Sequence, residues 1–106
     1  MNYGLSELTI KRIHDVFVRF SKVERAVLYG SRAKGNFKPG SDVDLTLIGK
    51  TLTTDDLLTI SSELDETLIP YTIDLSLFEK LTDSDLRDHI ERIGVVFYQR
   101  SDAISL

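Results

Sequence analysis

Leu28-Tyr29-Gly30-Ser31-Arg32-Ala33-Lys34-Gly35, followed by Asn36-Phe37-Lys38-Pro39-Gly40 and then Ser41-Asp42-Val43-Asp44-Leu45, is the stretch on which the fold turns. Upstream of it, Ala26-Val27-Leu28-Tyr29 is continuously apolar, as a strand covered on both faces is. The spacing predicts a strand over 23–29 that Gly30 interrupts. Asn36 to Gly40 reads as a turn, which Pro39 and Gly40 explain without any functional claim. From Asp42 to Ile48 the chain alternates, with Asp42, Asp44 and Thr46 on one face and Val43, Leu45 and Leu47 on the other. That is the signature of a half-buried strand.

On the N-terminal side, Leu5, Leu8, Ile13, Val16, Phe17 and Phe20 recur at helical spacing, predicting an amphipathic helix over 5–20 with these residues toward the core. On the C-terminal side, Thr53-Thr54-Asp55-Asp56 has the composition of a helix start, a threonine cap with acids at the positive end of the dipole. Leu57, Ile60, Leu64 and Leu68 continue that helix and Pro70 stops it. Thr72 to Leu77 alternates again, with Thr72, Asp74 and Ser76 opposite Ile73, Leu75 and Leu77. Thr82-Asp83-Ser84-Asp85 starts a last helix with Leu86, Ile90 and Ile93 inward, and Gly94 is read as its left-handed stop. Val95 to Tyr98 reads as an edge strand or an extended tail. The order predicts one α/β domain of the α+β type over 1–100: a small mixed β-sheet, helices packed mainly on one face, and a frayed tail over 101–106. The polar faces of the two alternating strands are expected to look outward into a cleft.

Asp42 and Asp44 lie two apart on a strand and so point the same way. Paired carboxylates repel unless a proton or a cation lies between them, and hard oxygen ligands suit Mg²⁺ or Mn²⁺. Asp74 joins them if its strand is adjacent and in register, and three carboxylates can then hold two ions astride a phosphorus undergoing in-line displacement. Taken singly, Asp42 and Asp44 read as solvated strand residues or turn caps, and Asp74 as an exposed strand aspartate, rather than as ligands. Gly30 permits a sharp turn and the close approach of a ligand, and Ser31, at the start of a short helix, reads as an anion contact or as a plain N-cap. Arg32 and Lys34 are expected to add charge at its rim. Neither a Walker loop nor a dinucleotide fingerprint is present. Tyr29 reads as core or cleft wall, Lys38 as a solvated loop residue, Arg87 and Arg92 as solvated helix charges, and His14 and His89 as helix histidines rather than ligands or bases.

Composition excludes several classes. With 13 Lys and Arg against 17 Asp and Glu, the formal net charge is -4, which argues against a nucleic-acid partner bound through a basic surface. There is no cysteine among the 106 residues, so disulfide scaffolds, thiolate metal sites and cysteine nucleophiles are excluded. The first residues lack a signal-peptide pattern and no apolar stretch is long enough to span a membrane, so the expected location is cytoplasmic.

Gly30-Ser31, ten residues, then Asp42-x-Asp44 resembles the signature of the DNA polymerase beta-type nucleotidyltransferase superfamily. The longer Gly-Ser-Arg-Ala-Lys-Gly and Ser-Asp-Val-Asp-Leu resemble, more narrowly, the minimal nucleotidyltransferase (MNT) domain, often the antitoxin paired with a helical HEPN-domain toxin. The resemblance implies the nucleotidyltransferase fold and a grip on the triphosphate tail by Gly30 and Ser31. It also implies two Mg²⁺ ions on Asp42 and Asp44, with Asp74 as third carboxylate near the attacking hydroxyl. It implies ATP as co-substrate and AMP transfer onto a tyrosine of a HEPN partner. Two alternatives stand beside it: a non-catalytic antitoxin that inhibits a helical partner sterically, and a transferase for a small hydroxylated molecule. Whether the chain assembles as a homo- or hetero-oligomer stays open at this stage.

Overall fold

The computed structural model describes residues 2–101. Of the tail expected over 101–106, only Ser101 falls within the described residues. Four strands form one mixed sheet: β1 (Arg25–Tyr29), β2 (Val43–Ile48), β3 (Ile73–Leu77) and β4 (Val95–Gln99), in the order β3-β2-β1-β4. Four helices accompany them: α1 (Glu7–Val18), α2 (Ser31–Lys34), α3 (Thr54–Glu66) and α4 (Ser84–Ile93). β1 runs antiparallel to β2 and β4, whereas β3 runs parallel to β2 and is reached through the α3 crossover. None of the described helices is long and apolar enough to cross a membrane.

The alternation of β2 decides which side is core. Val43, Leu45 and Leu47 join Ala26 and Leu28 of β1 in a buried layer that α1 and α3 cover with Ile13, Val16, Phe17, Ile60 and Leu64. The opposite face carries a second, smaller cluster in which Ile90 of α4 packs on Val27 and Tyr29, flanked by Ile48, Phe78, Leu81 and Leu86. Two of the three long helices thus share one face, and α4 lies across the other. The polar face expected to open into a cleft does so only at one end. Thr46 is 0% exposed and accepts a 2.9 Å hydrogen bond from Ser76, so the middle of that face is closed.

Local chemistry explains the element ends. Ser6 caps α1 by accepting the Thr9 N–H, and Thr53 forms a reciprocal capping box with Asp56. Asp83 caps α4 by accepting from Asp85 and Leu86. Three expectations are corrected. Leu8, placed on the core stripe of α1, is 56% exposed and Thr9 is buried in its place, because the inward line runs Thr9, Ile13, Val16, Phe17. Leu68 lies past the end of α3 and is exposed, since the helix stops at Glu66 ahead of Pro70. Gly94 is not left-handed: its φ is -60° and its ψ 144°.

Close packing accounts for Gly94. A β-carbon there would lie 2.6 Å from Val27 Cγ1 and would also collide with the Ile90 carbonyl oxygen. Gly94→Ala is therefore expected to lower stability by about 2 kcal/mol, the cost of overpacking without backbone strain, read as a lower denaturation midpoint at unchanged m-value.

Candidate active site

The open end of the second face is built from three strands in one row. Tyr29 of β1 stands opposite Asp44 of β2, and Asp44 stands opposite Asp74 of β3. The parallel β2–β3 register brings these two aspartates onto adjacent strands on one face. Asp42 sits one residue before β2, exposed to solvent.

The three carboxylates interact unequally. The Asp44 carboxyl is pushed above the ordinary carboxylate value, first by burial and then by the negative charges of Asp74 and Asp42, while Arg32 and His89 offset part of this. The Tyr29 hydroxyl is likewise raised, first by burial; the Ser76 hydroxyl opposes this, and Asp74 and Asp44 add to it. Among the described residues no three His, Cys, Asp or Glu side chains lie close enough to form a ready metal cluster. The expected convergence is thus a neighbouring pair, Asp44 and Asp74, with Asp42 acting on Asp44 through its charge. The donor set nevertheless suits Mg²⁺ in its chemistry: its ligand atoms are hard oxygens under mutual repulsion that a divalent ion relieves. Mg²⁺ is ordinarily held by one or two carboxylates plus phosphate oxygens and water rather than by an all-protein cage.

Gly30 closes the site from the β1 side. Its φ of 77° and ψ of -154° belong to a region that L side chains avoid. A β-carbon there would also strike Asp44 Oδ2. The glycine is thus required twice, by the backbone turn into α2 and by the carboxylate lying against it. Ser31, half-buried, opens α2, and Gly35 ends it at a φ of 88°.

Arg32 is not at the phosphate rim. It is 2% exposed, which turns its guanidinium away from solvent. Nε and Nη2 donate to the Ser41 carbonyl at 3.1 and 2.7 Å, and Nη1 donates to the Tyr3 carbonyl at 2.8 Å. The Phe37 and Tyr71 rings lie 5.0 and 4.9 Å from its central carbon. Arginine's planar fork and its affinity for aromatic faces make this a better buried anchor than a rim contact. Lys34 and Lys38 remain exposed. Arg87 is also not a solvated charge: it donates to the Phe78 and Leu81 carbonyls and stacks on the Phe78 ring at 4.3 Å.

The histidines separate. His14 belongs to the fold, its Nε2 2.6 Å from the Phe97 carbonyl oxygen and its ring edge-on to Phe97 and Tyr98. His89 reaches the site, accepting the Gly30 N–H at Nε2 over 3.3 Å with its ring edge-on to Tyr29. Nothing in its local sequence signals this, since it depends on α4 crossing the second face.

Two outcomes test this geometry. Arg32→Lys is expected to cost about 2–3 kcal/mol, because a lysine cannot reproduce the fork and leaves buried carbonyls unpaired; chemical denaturation measures it. A raised Asp44 contributes stability that is fully present below the ordinary carboxylate value and is lost as pH rises through the folded one. Asp44→Asn is therefore expected to raise Tm at pH 7 by about 2 °C after allowance for solvent screening. The gain disappears under acid conditions, where the wild-type carboxyl is already neutral.

The chain's likeness to known proteins agrees with this arrangement. The family profile described as polymerase beta, nucleotidyltransferase matches residues 11–103. No curated protein sequence matches significantly. Among solved structures, a toxin–antitoxin complex with AMP-PNP superposes at a TM-score of 0.68 and 19% identity, covering 92% of this chain and 77% of that one. A tri-AMPylated Shewanella oneidensis HEPN toxin in complex with MNT antitoxin gives 0.66 at 16% identity, covering 92% and 76%. A Sulfolobus solfataricus protein, described as a candidate nucleotidyltransferase, gives 0.58 at 20%, covering 94% and 85%. At these identities the superpositions establish the fold, while the family match spans most of the chain. The Gly30 turn, the paired strands that carry Asp44 and Asp74, and this match together place the chain in the polymerase beta nucleotidyltransferase family.

Proposed function

We propose that this protein transfers AMP from ATP onto a hydroxyl of a partner protein, a tyrosine of a HEPN-type toxin, and so acts as its antitoxin. The observation that carries the reading is the register of β2 on β3, which sets Asp44 beside Asp74 at the mouth of the Gly30–Ser31 turn in a nucleotidyltransferase fold. The AMPylated HEPN toxin in a structurally similar complex supports the choice of acceptor, and the AMP-PNP complex supports the choice of nucleotide.

In this reading the Gly30–Ser31 turn holds the triphosphate tail, with the Ser31 hydroxyl and the backbone N–H groups that follow Gly30 as donors. Asp42, Asp44 and Asp74 would hold two Mg²⁺ ions, which neutralise triphosphate charge when bound. Asp74, on the edge strand β3, is the carboxylate open to an incoming hydroxyl and accepts its proton. The hydroxyl oxygen bonds to the α-phosphorus, the bond to the bridging oxygen breaks, and pyrophosphate leaves. Arg32 acts behind this chemistry: its hold on the Ser41 carbonyl fixes the chain just before Asp42. The described residues form one four-stranded sheet with its helices, and in this reading the partner supplies the wall of the acceptor pocket.

Incubation with α-labelled ATP, Mg²⁺ and a co-expressed HEPN-type partner is expected to label the partner on tyrosine. Asp42→Asn with Asp44→Asn should lower transfer by about 10³-fold or more and abolish the rise in Tm that Mg²⁺ with ATP confers on the wild type. A wild-type protein that binds the partner without labelling it overturns the proposal. A double mutant that still silences the toxin shows steric inhibition instead.

A further inference from the structure

We infer that His89 is the positioning residue of the triphosphate turn: by accepting the Gly30 N–H, it fixes the peptide that the nucleotide must meet. The inference rests on the nucleotidyltransferase reading and adds to it a residue outside the Gly-Ser and Asp-x-Asp signature.

Gly30 is the weak point of the turn. It lies at a φ of 77°, where only glycine is at ease, and glycine has the most conformational freedom to lose on ordering. Asp44 packs directly against its α-carbon and forbids a side chain that would stiffen it. Stiffness has to come from a contact to its backbone. The Lys34 N–H holds the Gly30 carbonyl at 3.1 Å from the α2 side. On the amide side, the Gly30 N–H is held by His89 Nε2 at 3.3 Å.

The histidine is itself well placed to impose an orientation. α4 is anchored on both sides of it: Ile90 is buried against Val27 and Tyr29, and Arg87 is clamped to the Phe78 and Leu81 carbonyls. The His89 ring packs edge-on against Tyr29 with centroids 6.2 Å apart, so it leans on the residue that precedes Gly30. Acceptance at Nε2 puts the ring proton on Nδ1. A fixed Gly30 peptide lowers the ordering cost of triphosphate binding equally in the ground state and the transition state. The effect therefore falls on affinity and not on the chemical step.

The test compares His89→Ala with His89→Gln, whose side-chain amide oxygen reaches about as far as Nε2 and accepts the same N–H. Thermal denaturation first establishes that both variants are folded. In the nucleotide-free proteins, Gly30 amide hydrogen exchange is expected to accelerate about tenfold in His89→Ala and to stay near wild type in His89→Gln. In steady-state transfer, His89→Ala is expected to raise KM for ATP about tenfold at nearly unchanged kcat, with His89→Gln within about twofold of wild type. An unaltered Gly30 amide in His89→Ala overturns the contact. A fall in kcat at constant KM, or a glutamine variant as impaired as alanine, overturns the positioning role. Wild-type protein that binds no ATP with Mg²⁺ by calorimetry overturns the functional reading instead, and the amide measurement in the free protein tells the two failures apart.

Discussion

A positive charge taken almost wholly out of water organises the end of this molecule that carries the Gly30 turn and Asp44. Burying the Arg32 guanidinium would be costly in isolation, yet it finds two carbonyls and two aromatic faces waiting. Those partners come from the start of the chain, the loop between α2 and β2, and the entry to β3. One side chain thus ties together three segments, which also meet where the Tyr71 hydroxyl donates to the Gly4 carbonyl and the Val43 N–H to the Thr72 carbonyl. The loop it holds delivers Asp42 and the start of β2, and its charge offsets part of the repulsion at Asp44.

The site itself is a place of deliberate conflict. Asp44 is pressed against Gly30, partly withdrawn from water, and faced by two like charges. Such a group lowers stability at neutral pH, as groups at functional sites commonly do. The surrounding fold carries this strain without difficulty: behind the acidic row lie Val43, Leu45 and Leu47, fully buried between α1 and α3.

What could be read from the sequence divides along the same lines. Short-range chemistry was legible. The Thr53 cap, the Asp83 cap and the alternation of β2 and β3 each depend on residues within one or two turns; the alternation gives β2 and β3 matched polar faces, and the structure supplies the parallel register that sets Asp44 beside Asp74. Errors arose where a side chain answers to distant structure. Leu8 is apolar and near the right phase, but the neighbours of α1 select Thr9. Gly94 follows a helix, as left-handed stops do, but serves the approach of Val27. Charge alone puts Arg32 at the rim of the Ser31 turn and Arg87 in solvent, although each ends among carbonyls and aromatic rings. His89 shows no local motif at all, because its role depends on α4 crossing the second face. Asp42 illustrates the opposite limit: spacing correctly put it near Asp44, but not in a preassembled ring of three ligands.

The parallel pairing of β2 with β3 also governs when the site can exist. Gly30, Asp44, Asp74 and His89 leave the ribosome in that order, and the last two enter through the α3 crossover and the final helix. Synthesis at about 5–20 residues per second leaves the Gly30 turn without its acidic neighbour from β3, and without its histidine, until β3 and then α4 have emerged. The nascent protein therefore carries the Gly30–Ser31 signature before β3 and α4 have joined it.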